Sequence, residues 1–177
     1  MMRDENPNEA ERLLTRLRAD ARRLHRRAAA GDTEALERLR RLPDLRGADD
    51  DTLRGARRRH ALSAVARELG AHGWSHLCAV LRGEDVDDFG DALHQHGHWH
   101  VWSARYDEAV AIRAEHGGFL LPFRHQFFIA DADYVRELGL DPDDPDWVAI
   151  GRDWVGARDR VARGRLFAKL LAARRGP

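Results

Sequence analysis

Apolar positions recur through the first part of the chain at helical spacing. Ala10, Leu14, Leu17, Ala21, Leu24 and Ala28 follow one another at intervals of four and three, which places them on one narrow seam of a helix. Asn6-Pro7-Asn8-Glu9 precedes them as a capping-box variant with proline at the first helical position, and Gly31 supplies the stop. Such a seam needs a partner helix, in this chain or in a second copy, and packing within the chain is the expected case. A second helix is predicted over Thr33 to Leu42, closed by Pro43. A third runs from Thr52 to Leu69, a turn covers Gly70 to Gly73, and a fourth spans Ser75 to Gly83. A fifth, short and acidic, is predicted over Asp85 to His96, with Val86, Phe89 and Leu93 as its apolar points.

The pattern changes after Gly97. His98 to Ala104 and Phe119 to Ala130 are rich in aromatic and branched residues and read as strands, with Tyr106 to His116 as a helix between them. Adjacent parallel strands would make this a right-handed crossover, and Pro122 puts the second strand at a sheet edge or breaks it. Helices follow over Ala132 to Leu138, Pro145 to Trp154 and Arg158 to Arg174. The expected fold is therefore α+β and predominantly helical. A helical part over 1–83 packs on a small strand-helix-strand unit with three further helices over 84–177.

Composition adds modest bounds. With 177 residues, 43% hydrophobic and 34% charged, the chain can bury a core beneath a heavily charged surface. The single cysteine, Cys78, excludes an internal disulfide framework and sits on an apolar helix, as a core residue does. No stretch approaches the ~20 apolar residues of a membrane span and the first residues lack a signal-peptide core, so a soluble, cytoplasmic protein with no membrane partner is expected. Net charge is zero, but residues 1–83 hold 18 arginines against 13 acids while residues 84–177 hold 12 basic against 17 acidic side chains. The basic half can attract an anionic partner.

The sharpest chemistry is in Ala92 to Trp102, ALHQHGHWHVW, where His94, His96, His98 and His100 alternate. If Gly97 ends a helix, His94 and His96 point about 200° apart and cannot chelate together. His98 and His100 remain as an H-x-H pair on a strand, where alternate side chains stand about 7 Å apart on one face. His125, on the second strand, completes a three-imidazole set if the two strands are neighbours. Three nitrogens and a water make a common catalytic zinc arrangement, so His98, His100 and His125 are the expected ligands of a transition metal, zinc the first choice, in a site that is catalytic or metal-sequestering. His116, Asp131 and Asp133 are secondary candidates. Arg124-His125-Gln126, with Asp131 and Asp133, also holds the groups of a general acid–base site, although alternation turns Arg124 and Gln126 away from His125. No glycine-rich phosphate loop, G-x-S-x-G or H-E-x-x-H motif is present, so whether the chain is an enzyme stays open.

The competing reading is a non-enzymatic interaction module built on the N-terminal helices, contacting protein or self-associating. Residues 57–81, RRRHALSAVARELGAHGWSHLCAVL, have a helix-turn-helix outline, and Arg57-Arg58-Arg59 can meet phosphate. The turn carries an extra glycine and SHLCAVLR offers few base-reading side chains, which makes nucleic acid the less favoured partner. Through Ala66, Arg67, Glu68, Gly70, Trp74 and Leu77 the segment resembles a helical element near the N-termini of bacterial ankyrin-repeat proteins. The chain departs from that pattern by inserting Ala71-His72-Gly73, and no repeats follow. The resemblance implies a helical packing element and no activity. Trp99 to Trp154 is similar only to uncharacterised bacterial proteins, which implies no function.

Overall fold

A computed structural model describes residues 9–85, 92–94 and 100–175. The protein is predominantly helical α+β, and it divides into two compact units. One comprises residues 11–78; the other comprises residues 1–10 and 79–177.

The first unit is built on α1 (Glu9–Ala29), whose seam is as expected: Leu14, Leu17, Ala21, Leu24 and Ala28 are at most 1% exposed. The seam residues are buried in the single chain. Gly31, at φ +83°, ends the helix in a Schellman motif, donating to Ala28 O while Asp32 N reaches Arg27 O. Asp32 at once caps α2 (Thr33–Arg40) by accepting from Ala35 N at 2.9 Å.

The predicted third helix is broken. It forms α3 (Asp50–Arg54) and α4 (Arg58–Glu68), because Gly55 and Ala56 turn back onto Asp51 O and Leu53 O. His25 Nε2 of α1 lies 3.0 Å from Ala56 O and pins the break, and His60 Nδ1 accepts from Arg57 N to cap α4. A helix α5 (Trp74–Leu81) follows.

In the second unit, three strands form one antiparallel sheet in the order β1 (Val101–Ser103), β3 (Gln126–Ala130), β2 (Phe119–Phe123). This corrects the single strand expected over Phe119 to Ala130: the run is a hairpin, and β1 pairs with its returning arm. Arg124 takes φ +55° as first residue of its two-residue turn, the position where a type II′ turn requires a positive φ. Pro122 does lie on an edge strand.

The turn also changes which residues share a face. Leu121 pairs Phe128 and Phe119 pairs Ala130, so Phe119, Leu121, Phe128 and Ala130 share one buried face, and Phe127 and Ile129 pass to the other side with Leu120, which is also buried. Helix α6 (Tyr106–His116) joins β1 to β2 and packs on β3. Then come α7 (Ala132–Glu137), α8 (Pro145–Ala149) and α9 (Arg160–Arg175). The predicted helix over Pro145 to Trp154 is shortened to α8 because the chain turns left-handed at Gly151 and Arg152. The predicted acidic helix over Asp85 to His96 lies mostly outside the described residues. Among the described residues, no helix is long and apolar enough to cross a membrane.

Candidate functional site

The histidines expected to converge are placed differently. His98 and His96 lie outside the described residues. His125 is exposed at the hairpin turn between β2 and β3. His100 precedes β1, and Val101 pairs with Ile129, so His100 sits beside the far end of β3. Five residues of extended chain, about 17 Å at strand rise, separate that end from His125. His100 and His125 are therefore not brought together, because the expected pairing assumed one long strand where the chain makes a hairpin. Among the described residues, no group of three or more His, Cys, Asp or Glu side chains is placed to hold a metal ion.

His94 and His100 belong instead to the aromatic face of the sheet. The His94 ring stacks on Phe123 at 3.9 Å, and the His100 ring lies 4.8 Å from Phe128 and 4.5 Å, edge-on, from Tyr134. Trp102 packs on Phe128 at 4.9 Å, and Tyr134 Oη donates to Leu93 O at 2.9 Å. Their immediate role is packing.

The end of the sheet beside His100 carries a cavity of ≈ 360 Å³. It is lined by His100, His116, the Gly117–Gly118 turn, Phe119, Asp131 and Arg152, among others. His116 and Asp131 were secondary candidates in the sequence; Arg152 was not a candidate at all. Asp131 is largely committed, since its Oδ1 accepts from Tyr134 N at 2.8 Å and caps α7. His116 closes α6 with its side chain 64% exposed, and Glu115 stands 3.9 Å from its Nε2.

Arg152 is the unusual group. Gly151 and Arg152 are consecutive left-handed residues, at φ +72° and +53°, and the second carries a side chain that disfavours this conformation. Four contacts hold it. Arg152 N donates to Trp147 O at 2.7 Å, and Leu120 N donates to Arg152 O at 2.9 Å. Arg113 Nη1 donates to Gly151 O at 2.8 Å, and the Arg152 guanidinium carbon lies 5.2 Å above the Phe119 ring. No carboxylate among the described residues pairs with this guanidinium.

The sequence held one signal for this turn: Gly151 directly after the apolar Ile150 marks a helix stop. Nothing marks the residue after it as a ligand group. Arg124-His125-Gln126 proves to be the hairpin tip, with the Arg124 guanidinium over Phe123 at 5.0 Å, and Asp133 is ion-paired to Arg136 at 2.7 Å. Comparison of the chain with protein-family models, with curated proteins and with solved structures gives no match.

Proposed function

We propose that this protein binds a small carboxylate-bearing molecule in the cavity at the end of the sheet. The observation that carries the reading is Arg152, held on a left-handed backbone and stacked on Phe119 with no acidic partner among the described residues. The side chain is exposed and its planar guanidinium can present two parallel N–H donors to a carboxylate, while the ordered backbone beneath it limits what binding must still fix. His116 lines the same cavity and supplies a second polar contact for the rest of the ligand. Asp131 sets the charge limit: a carboxylate in the lining opposes a dianion, so a monocarboxylate is preferred over a phosphate ester.

The transition-metal reading keeps His100 and the secondary candidates His116 and Asp131 near this cavity, and lacks His125. A thermal-shift panel of small monocarboxylates, phosphate monoesters, neutral amides and zinc separates the two. Monocarboxylates at millimolar concentration are expected to raise the melting temperature by a few degrees, with no shift from the amides. Stabilisation by zinc that vanishes in His100→Ala, with none from carboxylates, would replace this proposal with the metal one.

A further inference from the structure

The helical unit of residues 11–78 holds sixteen arginines against ten acids. Several of these guanidinia are paired with acids. Arg27 pairs with Asp32 and Glu34, Arg40 with Glu37 and Asp50, and Arg38 forms a two-bond pair with Glu68 at 2.7 Å for each contact. Arg41 and Arg67, like several other arginines of this unit, are exposed and meet no carboxylate among the described residues; what sets them apart is the cavity they share. Arginine near a helix C-terminus has a plain use, complementing the dipole of α2 or α4. That use does not account for what lies between these two.

Arg38, Arg41, Arg67 and Glu68 rim a cavity of ≈ 290 Å³ whose floor is Leu42 and Ala64, both buried. The Arg38–Glu68 pair braces one wall, across from α2 to α4. The site therefore has an apolar base and two uncommitted cations on its edge. A volume of about 150 Å³ already holds a benzene-sized group, so the cavity can take an aliphatic side chain.

We infer that this cavity is a docking site for a peptide segment of a partner protein in which acidic residues flank an aliphatic one. The aliphatic side chain enters onto Leu42 and Ala64, and the flanking carboxylates meet Arg41 and Arg67 in forked hydrogen bonds. Complementarity of charge selects the partner's sign, and the apolar floor selects a side chain over a nucleobase. The lining holds no aromatic ring, so a base could rest only on the guanidinium planes. The site is independent of the carboxylate cavity of the other unit and stands or falls apart from it.

A random nonapeptide library selected against the full chain at low salt tests the inference. Enriched peptides are expected to carry Asp or Glu on both sides of Leu, Ile or Val. Their affinity is expected to fall about tenfold for the double variant Arg41→Glu, Arg67→Glu, as two exposed attractions become repulsions. It is expected to recover when the peptide acids are changed to lysine. The neutral pair Arg41→Gln, Arg67→Gln should fall between, with unchanged melting temperature. No enrichment, equal binding to both double variants, or equal binding by polyglutamate lacking an aliphatic residue would overturn the proposal. So would displacement of the peptides by a single-stranded oligonucleotide whose own binding needs Arg41 and Arg67.

Discussion

At the scale of single residues, Arg152 pays a conformational cost that glycine would not. A side chain in the left-handed region costs about 1–2 kcal/mol, against which glycine loses about 0.5–1 kcal/mol through its freer unfolded chain. Arg152→Gly is therefore expected to leave stability within about 1 kcal/mol of the wild type, measured by urea unfolding. Loss well beyond that would mean the side chain is there for packing on Phe119 rather than for a ligand. Asp146 shows the opposite logic, a polar residue wholly absorbed by structure. Burial alone would raise its carboxyl above the usual range, but hydrogen bonds from Arg165 and Lys169 outweigh it and hold the pKa down. Its stabilising contribution is therefore present above the unfolded carboxyl range and is lost as pH falls through the depressed folded value.

At the scale of elements, the sheet was half legible. Alternating apolar residues and a flanking proline identified strand character and an edge. The break inside Phe119 to Ala130 did not show, because Arg124-His125 lacks the Asn-Gly or Gly signature by which tight hairpins are recognised. That one missed turn gave β1 the returning arm of a hairpin as its neighbour, shifted the residues that share a face and carried His125 away from His100. The split of the third helix was signalled by Gly55, yet glycine is tolerated inside helices, and the decisive bond comes from His25, thirty-one residues earlier.

Helix α6 is latched to the segment after α8 by a bond that has its own pH signature. Tyr106 Oη donates to Asp153 Oδ2 at 2.5 Å, and Asp153 Oδ1 accepts from Val155 N and Gly156 N. Burial, reinforced by the hydrogen bond to Asp153, pushes the phenol up to about 12 from an ordinary 10.0. A raised folded pKa means that the latch stabilises fully below pH 10.0 and loses that contribution as pH rises through about 12. An ultraviolet phenolate titration of the wild type should show this transition, and Tyr106→Phe should remove it. A Tyr106 that titrates at its ordinary value would show that the latch is open in solution.

At the scale of the molecule, the helical class and the α1 seam followed from spacing because local periodicity reports on burial directly. The candidate site did not, since its members come from the end of α6, the start of α7 and the turn after α8. Tertiary placement alone joins them. His116 and Asp131 were visible as chemistry without a location, while Arg152 was one arginine among many until its backbone conformation set it apart. Backbone amide shifts of isotope-labelled protein, titrated with small monocarboxylates and matched neutral amides, put this assembly to the most direct test. The account predicts carboxylate-specific shifts at Gly117, Gly118, Ala132 and Arg152, abolished in Arg152→Gly while that variant stays folded. Shifts that persist in Arg152→Gly, or that gather elsewhere on the chain, would contradict it.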